Sequence, residues 1–192
     1  MKAITANKRK ILNDPIYGFT TIPNELIFDL IEHPYYQRLR RITQLGLTYL
    51  VYPGAYHTRF HHALGTMHLM TKAIEVGHML QDYGVSHFEE PCPYWEPEQT
   101  KEVTNALSID VTGGEQDCDL RIWRDMVERK IVNIYQPDVM YLGGLTRALQ
   151  VAKIIEEGGY VCTPHAANLS LVTMCTMHLL KAISNAGPYL EL

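Results

Sequence analysis

Residues 132–138, Val132-Asn133-Ile134-Tyr135-Gln136-Pro137-Asp138, form a short apolar run that closes on a proline and a carboxylate. The run reads as a β-strand. Thr146–Glu157 follows with a helical pattern, and Gly158-Gly159 stops it. Tyr160–His165 is then a second strand-like run, ending on Thr163-Pro164-His165. Strand, helix and strand in this order mean two parallel strands joined by a crossover helix. The same alternation extends both ways along the chain. Val85–Glu89 and Asp110–Glu115 read as strands upstream, and Tyr189–Leu192 reads as one downstream. Between them Pro97–Leu107, Leu120–Lys130 and Asn168–Ile183 read as helices.

The ends of these strands carry Glu89, Glu115, Asp138, His165 and Glu191, spaced 23 to 27 residues apart. One strand-loop-helix-loop unit of a (β/α) barrel takes about 30 residues. Each polar residue therefore falls at the same place in successive units. In such barrels the C-terminal strand ends share one mouth, so five ionisable groups would converge. Helix N-capping would account for one or two of them, but less well for four acids and a histidine at this spacing. The expected fold class is α/β. It comprises a partial TIM-type (β/α) barrel of about five parallel strands with crossover helices over residues 72–192, preceded by an all-α N-terminal segment over residues 1–71. The chain has 192 residues, and a complete barrel needs about 250.

The chemistry follows from the residue types. Glu89 lies in Phe88-Glu89-Glu90-Pro91 and Glu115 in Gly113-Gly114-Glu115-Gln116-Asp117. Two carboxylates on neighbouring strands suit a hard cation such as Mg²⁺, which prefers oxygen. A third carboxylate is expected one unit upstream, near residue 63, which is Ala63. Asp138 and His165 end adjacent strands and can pair, the carboxylate holding the imidazole tautomer and raising its basicity. Such a base removes a proton from carbon only when the proton is acidified, as beside a carboxylate whose enediolate is stabilised. Glu191 reads either as a hydrogen-bonding partner of that carboxylate or as a terminal solvated acid.

Phe-Glu-Glu-Pro, Gly-Gly-Glu-Gln-Asp, Gln-Pro-Asp-Val-Met-Tyr-Leu-Gly-Gly and Thr-Pro-His, in this order over about residues 72–192, resemble the mandelate racemase/muconate lactonising branch of the enolase superfamily. That resemblance implies that Glu89 and Glu115 are Mg²⁺ ligands and that Asp138 and His165 form a dyad with the histidine as general base. It implies that Glu191 meets the enolate. The implied partner is a small carboxylate, with acid-sugar dehydration, racemisation or cycloisomerisation as the reaction. Three parts of the family pattern have no counterpart here: the first metal-ligand Asp, the lysine-bearing strand and the N-terminal capping domain.

The first 71 residues read as helical. Pro23–Glu32 sets Leu26, Ile27, Leu30 and Ile31 on one face, Pro34 breaks the helix, Tyr35–Leu45 makes a second, and a third runs from His61 to Gly84. Thr58-Arg59-Phe60-His61-His62-Ala63-Leu64-Gly65-Thr66-Met67-His68-Leu69, with the run from Asp14 through Leu39, resembles the opening of an HD-domain phosphohydrolase. There His62 would be the first metal ligand. The family's His-Asp dipeptide occurs nowhere in the sequence. Two family resemblances thus meet near Lys72-Ala73-Ile74-Glu75-Val76, and a chimera is expected, either active or inactive. His57, His61, His62 and His68 could together bind a transition metal but are expected in surface or loop roles, and His78, His87 and His178 in structural ones.

Composition narrows the remaining classes. The net charge is −4 and the pI about 6.1, so neither a nucleic-acid partner nor a membrane partner is expected. Arg38, Arg40 and Arg41 read as a solvated helix face. Cys92, Cys118, Cys162 and Cys175 contain no C-x-x-C spacing and read as free thiols of a cytoplasmic protein. The opening residues lack a signal-peptide core. Exposed strand edges favour a homo-oligomer.

Overall fold

The computed structural model describes residues 10–166 and 169–191. Its contacts divide the chain into two compact units, Met1–Thr71 and Lys72–Leu192.

The first unit begins with a hairpin. Strand β1 (Ile11–Asp14) pairs antiparallel with β2 (Gly18–Thr21), Ile11 opposite Thr21 and Asp14 opposite Gly18. The turn is held by Asp14 Oδ1, which accepts from the backbone N–H of Ile16 at 2.8 Å and Tyr17 at 3.0 Å. Gly18 completes it at φ +71°. This hairpin corrects the all-α expectation for the segment, because the Asp14 side chain builds a turn where no apolar periodicity announces one. Helix α1 (Glu25–Glu32) starts where Asn24 Oδ1 accepts from Ile27 N at 2.9 Å.

The expected helix Tyr35–Leu45 is a second correction. A four-residue helix, α2 (Pro34–Gln37), passes into a 3₁₀ turn (Arg38–Arg41) and stops at an extended Ile42. Beyond it Arg59 N donates to Ile42 O at 2.8 Å and Gln44 N to His57 O at 3.0 Å. That pairing takes up the Ile42 carbonyl and the Gln44 N–H that a continuing helix would use. Ile22, Ile31, Phe60 and Leu64 form the buried core of this unit, with Leu12, Phe28, Tyr36 and Leu39 packed against it. Arg40 is not only solvated, since its guanidinium lies 3.6 Å from the centroid of the Phe60 ring.

Helix α3 (Arg59–Asp82) runs through the boundary between the units. No helix among the described residues is long and apolar enough to cross a membrane.

The second unit is a parallel four-stranded sheet in the order β3 (His87–Glu89), β4 (Asp110–Gly113), β5 (Ile134–Tyr135), β6 (Val161–Cys162). The crossovers contain α4 (Pro97–Ala106), α5 (Leu120–Arg129) and α6 (Leu145–Glu157). Helix α7 (Leu171–Ala182) follows β6, and Ser170 opens it with a capping box. The α/β expectation holds, with ladders shorter than the expected runs. The expected fifth strand is reduced to the bridges Cys162–Ala186 and His165–Glu191. Asn168, the expected start of the last helix, and Leu192 lie outside the described residues.

Burial explains why this order forms. Trp123, Met126 and Val127 of α5 and Ala148, Val151, Ala152 and Ile155 of α6 are buried, at the i, i+3, i+4 spacing of an amphipathic helix. Tyr135 is fully buried and donates its hydroxyl to Met126 O at 3.1 Å. Trp123 is fully buried, and its Nε1–H donates to Asp117 O at 3.0 Å. Gly114 sits at φ +107°, and a Cβ there would lie 2.7 Å from the Trp123 ring. The indole therefore props the loop that carries Glu115. Trp123→Ala is expected to lower unfolding stability by about 3–5 kcal/mol. Urea denaturation followed by circular dichroism checks it, and a loss below about 1 kcal/mol would contradict this role.

Candidate active site

The parallel ladder continues past the named strands, and this continuation builds the site. Glu90 N donates to Thr112 O at 3.0 Å, Gln136 N to Gly113 O at 3.0 Å and Thr163 N to Tyr135 O at 2.8 Å. Isolated parallel bridges then join Asp138 to His165 and His165 to Glu191. In register, Glu89, Thr112, Ile134 and Val161 form one row across the sheet. Side chains two residues further along share that face. Gln136 and Asp138 therefore follow Ile134, and Thr163 and His165 follow Val161.

Asp138 is the most firmly held of these groups. It is 1% exposed. Its Oδ1 accepts from Met140 N at 2.6 Å and Tyr141 N at 3.0 Å. Oδ2 lies 2.9 Å from His165 Nδ1. A carboxylate in this position takes the Nδ1 proton in a hydrogen bond and leaves Nε2 as the free basic nitrogen. Nε2 stands 3.3 Å from Glu115 Oε2.

Glu115, His165 and Glu191 each offer a ligand atom, and these atoms lie within 4.8 Å of one another. Glu89, expected to share an ion with Glu115, stands outside this group and meets Glu191 instead. Gln136 Nε2 donates to Glu191 Oε2 at 3.1 Å and to Glu89 Oε1 at 3.4 Å. Burial pushes the Glu191 carboxyl up to about 7, helped by the charge of Glu89 and a hydrogen bond with it. Crowded carboxylates of this kind fit a divalent cation, which neutralises their repulsion and takes hard oxygen donors. Their donor chemistry therefore suits Mg²⁺.

His62 is exposed near the start of α3, and among the described residues it belongs to no such group. The sequence reading assigned no role to Gln136, although its spacing of two from Asp138 in a strand was a usable signal. It also missed the pairing of His87, read as structural, with Tyr189. Their rings stack at 5.5 Å and the Tyr189 hydroxyl lies 3.2 Å from His87 Nδ1. No local pattern connects residues so far apart in the chain.

Known proteins resemble this chain in two separate parts. Residues 62–191 match the sequence profile described as Enolase C-terminal domain-like. A solved structure of a candidate racemase from Roseobacter denitrificans is 63% identical, with a TM-score of 0.63, over 64% of this chain and 34% of its own. A mandelate racemase/muconate lactonizing enzyme-like protein from Rubrobacter xylanophilus is 25% identical, with a TM-score of 0.61, over 64% of this chain and 31% of its own. The chain thus spans about a third of these structures. A separate likeness, 45% identity over 69 residues, is to the deoxynucleoside triphosphate triphosphohydrolase SAMHD1 of Danio rerio, covering 36% of this chain and 11% of that protein. The uncharacterized protein YwfO of Bacillus subtilis is 41% identical over 69 residues, again 36% of this chain and 16% of its own. With the profile spanning well over half its length and the carboxylates and imidazole gathered at the ends of a parallel sheet, the chain belongs to the Enolase C-terminal domain-like family.

Proposed function

We propose that this protein removes the proton next to the carboxylate of a small organic acid, with His165 as general base. The observation that carries the reading is the Asp138–His165 pair at 2.9 Å, with Nε2 standing 3.3 Å from Glu115 Oε2. Asp138 keeps the imidazole in one tautomer and stabilises the imidazolium after proton transfer. Glu89 and Glu115 are the proposed holders of Mg²⁺, which when bound would stabilise negative charge on the substrate carboxylate. Glu191, protonated, can donate to the carboxylate oxygen on which enediolate charge grows. Acid sugars are the proposed substrate class, with dehydration, racemisation or cycloisomerisation as the outcome of the shared first step.

A second reading gives the segment resembling an HD domain a nucleotide phosphohydrolase ancestry, with His62 as metal ligand. The likeness to SAMHD1 favours it. As an activity it predicts metal-dependent phosphate release from nucleotides, lost in His62→Ala.

The main test is exchange of the α-proton for deuterium. The full chain is incubated with Mg²⁺ and a panel of acid sugars in D₂O and followed by proton NMR. His165→Ala should slow exchange by about 10²–10⁴-fold, the usual contribution of a general base. Asp138→Asn should slow it as well, since an amide no longer favours the Nδ1–H tautomer. Exchange that survives His165→Ala unchanged, or no exchange with any acid in the panel, would sink the reading.

Glu191 yields a pH prediction. Its folded value of about 7 lies above the ordinary 4.5. Between those values the folded protein holds a proton that the unfolded chain has released. Stability therefore falls as pH rises through that window. In EDTA, thermal unfolding should show a lower Tm at about pH 8 than at about pH 5, and Glu191→Gln should lessen the drop. An identical drop in the variant would show that Glu191 is not its source.

A further inference from the structure

A cavity of about 300 Å³ lies within the second unit, beside the loops that follow β3 and β4. Met126 and Val132 contribute apolar wall, Tyr94 and Trp95 reach it from the preceding loop, and Glu90 and Asp117 supply carboxylates. Glu90 directly follows Glu89, the last residue of β3. Its backbone is at φ +37°, in the left-handed region that a residue with a side chain rarely occupies.

Both acids lack a cationic partner. Glu90 Oε1 is buried without any hydrogen bond, and Oε2 receives only Gln116 Nε2 at 3.4 Å. Asp117 is 8% exposed. Among the described residues no hydrogen bond or ion pair reaches its carboxylate, and no lysine or arginine pairs with Glu90. Burying such groups unmatched is unfavourable. A metal ion is a poor match, because among the described residues neither acid belongs to a group of three possible ligands. The apolar wall and the two aromatic rings suit a cation with a carbon body.

We propose that this cavity binds a small organic cation, a primary ammonium on a short apolar chain, held between the carboxylates of Glu90 and Asp117.

The test is calorimetric titration of the full chain with n-butylammonium chloride, and with butan-1-ol as the neutral counterpart. One saturable event is expected with the amine, and affinity for the alcohol about tenfold lower or less. Glu90→Gln and Asp117→Asn should each weaken amine binding by about tenfold or more, with circular dichroism unchanged. The Trp95 indole N–H resonance should shift as the amine is added. Equal binding of amine and alcohol would mean an apolar cavity with no cation selectivity, and would overturn the proposal. So would the absence of saturable amine binding, an unshifted Trp95 indole, or folded variants that bind the amine as well as the parent. The comparison of amine with alcohol needs no substitution, so a variant that fails to fold leaves the proposal testable.

Discussion

Parallel backbone pairing in register is the constraint on which the second unit depends. Each strand presents its side chains by alternation, so a shift of one residue would exchange the two faces. The ladder from Glu90–Thr112 through Gln136–Gly113 to Thr163–Tyr135 prevents that shift. It carries Glu89, Gln136, Asp138 and His165 onto one face although β5 and β6 have only two residues each. The two N–H groups given by Met140 and Tyr141 to Asp138 then turn a strand end into a rigid anchor for the imidazole. Side-chain geometry at the rim is therefore a consequence of main-chain hydrogen bonds made elsewhere.

Charge balance is the second theme of this unit. Glu89, Glu115 and Glu191 crowd together, and Glu90 and Asp117 line a cavity. In the first cluster Gln136 donates its amide to two of the carboxylates. In the second, the described residues supply only the distant contact from Gln116. The two arrangements suit cations of different kinds. Carboxylate oxygens suit a hard metal ion, whereas two acids among apolar and aromatic walls suit a carbon-bearing cation.

Much of the second unit was legible because its signals are local. Helices α4, α5 and α6 begin and end within a residue of the expected limits. Pro97 and Gly158 are chemical punctuation that acts within one turn of helix. The first unit was less legible where distant pairing overrode local preference. Tyr35–Leu45 has a helical pattern, yet Ile42 and Gln44 bond to Arg59 and His57 instead. The hairpin of β1 and β2 depends on one carboxylate, Asp14, folding over its own backbone.

The amino-acid sequence determined which groups end each strand. It did so because strand length, helix stops and the recurrence of acids near every twenty-fifth residue are properties of short windows. Tertiary structure alone decided who meets whom across the sheet. Glu89 meets Glu191 rather than Glu115, Gln136 bridges two carboxylates, and Tyr189 stacks on His87 across 102 residues of sequence. Those contacts depend on sheet curvature and on the crossing of inward side chains, which no window of neighbouring residues encodes. The same holds for the vacant partnership of Glu90 and Asp117, since a cavity exists only once the surrounding helices have packed.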